Sequence, residues 1–352
     1  MPAERTSLNA AIDHEPEPTA ATVGTAIWMR PPSLAEHIFG NDLSVLRETV
    51  PGHSAVVLTD IASDAARAAL ARTDVLITGW GIPPLSAADL AAAPALRAVL
   101  HAGGQASSVL PASAWGSGLL IGNAGAANAV PVAEYSVAMI LLVGAAAFEA
   151  RDLYRLRRTG IDREAEFSEA GNYDCVIGVV GASRIGRLVI QMLRSRDVEV
   201  IVYDPYVPPP VIRDLGARPV GLYELMAEAD VISLHPPLNS ETRGLIGREC
   251  LASMKTGATI INTSRGAVID QAALLGELES GRIRAVLDVT DPEVLEPGSP
   301  LYDLPNVFLT PHIAGSKGRE LRRIGLHVAR ELARLSLGQP LKFPEPAPPW
   351  PS

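Results

Sequence analysis

From Thr25 onward, short apolar runs alternate with amphipathic stretches, in two successive series. The first series holds TAIWMR (25–30), AVVLTD (55–60), DVLITGW (74–80), LRAVLHAGG (96–104) and GLLIGNA (118–124). The second holds CVIGVVG (175–181), VEVIVYD (198–204), ADVISLH (229–235), ATIINTS (258–264), IRAVLDV (283–289) and NVFLTPH (306–312). Runs of this kind are strands buried on both faces. Helical segments between them imply parallel pairing, because a parallel neighbour is reached only through a crossover. The chain is thus expected to be α/β, with two doubly wound parallel-sheet domains, the second six-stranded. Ser33 opens a helix with Glu36 at capping-box spacing, and a further helix runs from Ser63 to Arg72. Pro131 to about Arg158 reads as one long helix or a kinked pair, and a last helix runs from about Gly318 to Leu337, before Gly338 and a Pro-rich tail.

At 352 residues the chain can bury two cores. Its net charge of −9 provides no global field for nucleic acid or an anionic membrane, so an acidic ligand needs a local cation. The longest apolar stretch, Ala129 to Phe148, is interrupted by Pro131, Glu134 and Ser136. Only Val137–Phe148 is free of polar side chains, well short of the ~20 residues of a spanning helix, so a buried helix is expected. Residues 1–23 carry no signal pattern, and their Glu, Pro, Ala and Thr content suggests a disordered leader. Cys175 and Cys250 read as reduced core thiols of a cytoplasmic protein, and no metal site is expected.

Chemistry concentrates after residue 175. In GVVGASRIG (178–186), Gly181, Ser183 and Gly186 occupy the three positions of the Gly-x-Gly-x-x-Gly fingerprint, between a strand and a helix opening near Arg184 and Ile185. Gly181 permits the tight turn and Gly186 close helix–strand packing, whereas Ser183 departs from the pattern at the position where backbone normally approaches a pyrophosphate. Asp204 ends the next strand. A carboxylate there either accepts from ribose hydroxyls, favouring NAD over NADP, or caps the turn at Pro205. Three further motifs each carry a reactive side chain: Arg265 in INTSRGAVID, Glu293 in LDVTDPE and His312 in LTPHIAGS. A guanidinium fork binds a carboxylate and a ketone oxygen with fixed geometry. An imidazole, with an ordinary pKa near ~6.5, can protonate a developing alkoxide, and a carboxylate beside it stabilises the imidazolium. Asp291 and Glu296 are rival carboxylates to Glu293.

This order of motifs resembles the D-isomer-specific 2-hydroxyacid dehydrogenase family, over about residues 96–341. The resemblance implies a flavodoxin-like substrate-binding domain (24–127 plus 317–345) and a Rossmann dinucleotide-binding domain (128–316) around a cleft, with chain crossings near 125–135 and 314–318. It implies an oxidoreductase that transfers a hydride between NAD(H) and C2 of a small 2-keto or D-2-hydroxy acid. Arg265, Glu293 and His312 would be catalytic, with Arg265 also gripping substrate. Gly181, Ser183, Arg184, Ile185, Gly186, Asp204, His235, Pro236, Thr242, Thr263, Ser264, Asp288, Ala314 and Gly315 would meet the cofactor. His235 is among these as a cofactor contact rather than an acid, and Asp288 would meet the nicotinamide carboxamide. Backbone of Ala102, Gly103 and Gly104 would bind the substrate carboxylate. The glycines permit an anion nest, although Gln105 replaces the family's usual Asp. Asn128 reads as a structural or hinge residue. A homodimer is implied, because the apolar helix after Pro131 needs more cover than one subunit gives, and no nucleic-acid or membrane partner is expected. An NAD-sensing binding protein without turnover, or a dehydrogenase of phosphite or a phosphonate, are the competing readings.

Overall fold

The structure, a computed structural model, describes residues 23–347. The leader expected over residues 1–23 lies outside the described residues except for Val23, which is buried. The chain divides into two compact units, one made of residues up to Ala124 together with those from Ile324 onward, the other of Gly125–Arg323.

The first unit is built on five parallel strands, β1 (Thr25–Trp28), β2 (Ala55–Leu58), β3 (Val75–Thr78), β4 (Ala98–His101) and β5 (Leu120–Asn123), in the order β2-β1-β3-β4-β5. That is the flavodoxin-like order. The runs in β1, β3 and β4 are buried throughout because helices cover both faces of the sheet. The Leu321–Ser336 helix contributes Ile324, Val328, Leu332 and Leu335, buried at helical spacing, to this unit. The capping box expected at Ser33 is not formed. Ser33 is itself in helical conformation (φ −60°, ψ −17°) and its side chain caps nothing, because the turn at Pro31 and Pro32 already supplies carbonyls to Leu34 and Ala35. A capping box forms instead at Ser86 and Asp89.

The second unit holds β6 (Cys175–Val180), β7 (Val198–Tyr203), β8 (Arg218–Pro219), β9 (Val231–Leu234), β10 (Thr259–Asn262), β11 (Arg284–Leu287) and β12 (Val307–Leu309). All pair in parallel, in the order β12-β11-β10-β9-β6-β7-β8. The expected six strands are joined by a seventh, β8, a two-residue edge strand whose Arg-Pro sequence carries no apolar run. Alternate residues feed the cores on opposite faces: Ile260 joins one and Ile261 the other, as do Val180 and Val179.

The stretch after Pro131 is a broken pair of helices, Gly125–Gly144 and Ala147–Arg157, divided at Ala146 in left-handed conformation (φ 50°). The first begins six residues before Pro131, earlier than expected. By length and composition it could cross a membrane. Its Ala133, Val137 and Ile140 are buried in the core with Val189 and Ile190 of the Arg184–Leu193 helix. Both cysteines are free and buried, and burial pushes the Cys175 thiol up to about 11.

Candidate functional site

The order of strands reverses between β6 and β9, and open parallel sheets bind ligands at the carboxyl ends of strands around such a point. The Gly181–Gly186 turn lies there. Gly181 has φ 91°, and a Cβ on Gly186 would sit 2.0 Å from the Gly181 carbonyl oxygen, so helix and turn meet with no space for a side chain. Ser183 is the N-cap of the Arg184–Leu193 helix, and its Oγ accepts from the Gly186 N–H at 3.4 Å. The departure from glycine thus gives the helix a cap. Arg184 and Ile185 open the helix with N–H groups that have no acceptor within it, which suits an anion such as a pyrophosphate.

Asp204 ties this turn to the loop after β7. Its Oδ2 accepts from Ala182 N–H at 2.8 Å, and its Oδ1 from Tyr206 at 2.9 Å and Val207 at 3.1 Å. The turn-capping role is therefore formed. Three accepted bonds still leave a carboxylate capacity for a further donor. An open pocket of about 560 Å³ beside it is lined by Pro205, Tyr206, Val207 and Ile212.

After β9, His235 is buried, and burial pushes its imidazole down to about 3, so it is neutral near pH 7 and unsuited to acid catalysis. Its Nε2 meets Ser233 Oγ at 2.9 Å, while its buried Nδ1 has no partner among the described residues. Pro236 follows, with its backbone against Gly181. Thr242 organises this loop, donating to the Pro237 carbonyl at 2.5 Å and accepting from Asn239 N–H at 2.9 Å. A turn with no space at Gly186, the Arg184 and Ile185 amides with no acceptor within the helix, and an orphaned ring nitrogen together fit a dinucleotide.

The three reactive side chains leave adjacent strands. Asn262, Leu287 and Leu309 stand side by side in register at the ends of β10, β11 and β12. Just beyond them the chain presents Arg265, then Asp288 and Glu293, then His312. Arg265 is shaped by Asn262, a residue with no distinguishing mark in the sequence. The Asn262 Oδ1 accepts from Ser264 N–H and Oγ–H at 3.0 and 2.9 Å, and its Nδ2 donates to the Arg265 carbonyl at 2.9 Å. The Arg265 guanidinium donates to the Ser264 carbonyl at 2.7 Å and pairs with no carboxylate among the described residues. Thr263 meets Ser136 Oγ at 2.9 Å.

His312 Nδ1 meets Glu293 Oε1 at 2.5 Å, with both side chains about half exposed. Of the rival carboxylates, Asp291 faces Arg243 at 3.8 Å, and Glu296 shares no hydrogen bond or ion pair with His312 among the described residues. Thr290 fixes the segment by donating to the carbonyls of Pro292 and Glu293 at 2.8 and 3.2 Å. The Asp288 carboxylate is occupied by the segment that carries His312: Thr310 Oγ1–H donates to it at 2.6 Å, Ile313 N–H at 2.8 Å and Ala314 N–H at 2.9 Å. Tyr135 backs Thr310 at 2.9 Å. Asn128 accepts from Ser316 N–H at 3.0 Å beside Gly315, tying the start of the Gly125–Gly144 helix to the segment after His312.

In the first unit, the loop after β4 differs from expectation in two ways. The Ala102 N–H is taken by the Thr78 carbonyl at 2.7 Å, so it is not available to a ligand. Gly103 and Gly104 lack positive φ, so the left-handed half of an anion nest is not formed. What Gly103 provides is space: a Cβ there would lie 2.4 Å from His101 Nε2. The N–H groups of Gly103, Gly104 and Gln105 make no hydrogen bond among the described residues. His101 is buried against Thr78 Oγ1 at 3.0 Å, and burial holds its imidazole down at about 4.

The family model of the D-isomer specific 2-hydroxyacid dehydrogenase NAD binding domain matches residues 137–314. D-3-phosphoglycerate dehydrogenase of Mycobacterium leprae is 38% identical over 249 residues, which cover 70% of this chain and 46% of that protein. The enzyme of that name from Methanocaldococcus jannaschii is 35% identical over 246 residues, again 69% of this chain and 46% of that protein. The chain thus spans about half the length of the curated relatives it matches. Among solved structures, the TT0316 protein of Thermus thermophilus superimposes with a TM-score of 0.72 at 28% identity, covering 91% of this chain and 99% of that one. A phosphoglycerate oxidoreductase from Rhizobium etli reaches 0.76 at 24% identity, covering 92% and 97%, and supports the fold alone. With residues 137–314 matched by the family model and its parallel sheets in place, the chain belongs to the D-isomer specific 2-hydroxyacid dehydrogenase family.

Proposed function

We propose that this protein is an NAD-dependent dehydrogenase that interconverts a small 2-keto acid and its D-2-hydroxy acid. The observation that carries the reading is the His312–Glu293 hydrogen bond, one strand away from a guanidinium with no carboxylate partner among the described residues. The residues that would hold the dinucleotide are the Gly181–Gly186 turn, Asp204, His235 and Pro236, with Thr242, Thr263, Ser264, Ala314 and Gly315 around them. Bound there, the nicotinamide supplies the hydride.

Arg265 binds the substrate carboxylate and polarises the keto oxygen, which places positive charge where negative charge develops. Within the first unit, the amides of Gly103, Gly104 and Gln105, unbonded among the described residues, are donors suited to a carboxylate, and in this role replace the 102–104 set. His312 gives its proton to the forming alkoxide, and Glu293 holds the ring by Nδ1 so that Nε2 is directed to the substrate. Asp288 acts by shaping the His312 segment. Asp204 favours NAD, since a 2′-phosphate would meet its negative charge.

Exposed Leu142, Tyr154 and Leu156 on the helices 125–144 and 147–157 support a homodimer formed through these helices, which light scattering would test. Two unpaired buried thiols accord with a cytoplasmic protein. The deciding experiment follows NADH oxidation against glyoxylate, hydroxypyruvate, 3-phosphohydroxypyruvate, pyruvate, branched and aromatic keto acids, and phosphonopyruvate. Turnover of at least one is expected. NADH binding without oxidation of any of them would refute the reading.

A further inference from the structure

We propose that Glu345, on the C-terminal tail, is a positioning residue that holds the 103–107 loop in the shape that receives the substrate carboxylate. It provides, from a distant part of the chain, the acid that the loop itself lacks. This rests on the reading of that loop as the carboxylate-binding one.

Gln105 stands at the N-cap of the short helical turn Ala106–Ser108 and caps it with nothing. The Glu345 carboxylate takes that place: Ala106 N–H donates to its Oε2 at 2.7 Å and Ser107 N–H to its Oε1 at 3.1 Å. Asn123 Nδ2, at the end of β5, donates to the same Oε2 at 2.7 Å. Bonds to an ionised acceptor are the strong kind, and three converge here.

The tail is itself held in place. Glu345 N–H donates to the Ile121 carbonyl at 2.7 Å, and Trp115 Nε1–H donates to the Glu345 carbonyl at 3.3 Å. Pro344 bridges Gly122 in antiparallel sense, and buried Glu331 accepts from Lys342 and Phe343 N–H at 2.8 and 3.3 Å. The loop therefore has two anchors. Thr78 holds Ala102 on one side, and Glu345 holds Ala106 and Ser107 on the other. Between them lie the three consecutive unbonded amides of Gly103, Gly104 and Gln105. Fixing both ends leaves these donors preorganised, so a carboxylate meets them without an ordering cost.

The test compares wild type, Glu345→Gln and Glu345→Ala by amide hydrogen exchange and steady-state kinetics on the full chain. In Glu345→Ala, exchange at Ala106 and Ser107 should quicken about tenfold or more, with the change confined to residues 103–108. The keto-acid KM should rise about tenfold, with kcat within about twofold and NADH affinity unchanged. Glu345→Gln keeps one acceptor oxygen and should show a smaller change of the same kind, which guards against a variant that merely fails to fold. Adding Gln105→Asp to Glu345→Ala should restore much of the KM by capping the turn from within. Unchanged exchange at 106–107, or a fall in kcat with KM unaltered, would overturn the proposal. Should wild type reduce no keto acid, the proposed function fails, and the exchange experiment alone still decides whether the clasp exists.

Discussion

Asp288 grips His312 through backbone and side chain together. Its carbonyl accepts the His312 N–H at 2.9 Å, and its carboxylate accepts the next two amides, Ile313 and Ala314. His312 sits at φ 54°, a left-handed conformation that costs a non-glycine residue ~1–2 kcal/mol, so the neighbours must hold it there. The imidazole reaches Glu293 because its backbone is fixed by Asp288.

Replacing Asp288 with Ala leaves three donors without their acceptor. Stability should fall by about 3 kcal/mol, and kcat by about tenfold or more through displacement of His312. Denaturant melts together with steady-state kinetics would check this. A variant with wild-type kcat would show that the His312 segment holds its shape unaided.

His312→Gln removes the proposed proton donor, and kcat should drop by about 10²–10⁴-fold while NADH affinity stays near wild type. Glu293→Gln keeps a hydrogen-bonding group beside Nδ1 but loses the charge that stabilises the imidazolium, so its loss should be smaller. Turnover close to wild type in His312→Gln would assign the acid elsewhere.

Asp204→Ser should lower the preference for NAD over NADP about tenfold or more in kcat/KM. Because Asp204 also anchors Ala182, Tyr206 and Val207, the variant should melt at lower temperature as well. An unchanged cofactor ratio would leave this residue the turn-capping role alone.

Two histidines should make the protein sensitive to mild acid. Burial lowers His101 to about 4 and His235 to about 3, below the ordinary ~6.5 of an unfolded chain. The unfolded state then binds more protons, so stability is complete above about pH 6.5 and is lost as pH falls toward the folded values. At about pH 5 His101 alone should cost on the order of 2 kcal/mol. Melting temperatures measured between about pH 7 and pH 5 should fall, and less so in His101→Gln. A flat profile would contradict the buried neutral imidazoles.

Gly186→Ala tests the closeness of turn and helix. Its methyl would meet the Gly181 carbonyl, so the turn must open and NADH Kd should rise about tenfold or more. Fluorescence titration would read this directly, and unaltered affinity would show that the turn has slack.

Much of this molecule was open to reading from residues alone. Each central strand is a continuous apolar run, because a strand covered on both faces has no solvent side to mark. β8 carries no such mark: two residues on the sheet edge bury almost nothing. Arg265, Glu293 and His312 stand in short motifs just past strand ends, where the parallel architecture gathers functional groups. The choice of Glu293 over Asp291 and Glu296 was not settled by sequence, since all three lie within one turn-rich segment and only the backbone path decides which carboxylate meets the imidazole.

The amino-acid order by itself determined the two parallel sheets, the glycine turn after β6 and the motifs that carry Arg265, Glu293 and His312, because these depend on local pattern and on short spacing. Tertiary structure alone decided which groups support them. Asp288 around His312, and Glu345 on an amide pair more than two hundred residues away along the chain, are contacts between polar groups far apart in sequence. A hydrogen bond depends on distance and angle in space, and sequence separation leaves no periodic trace of it.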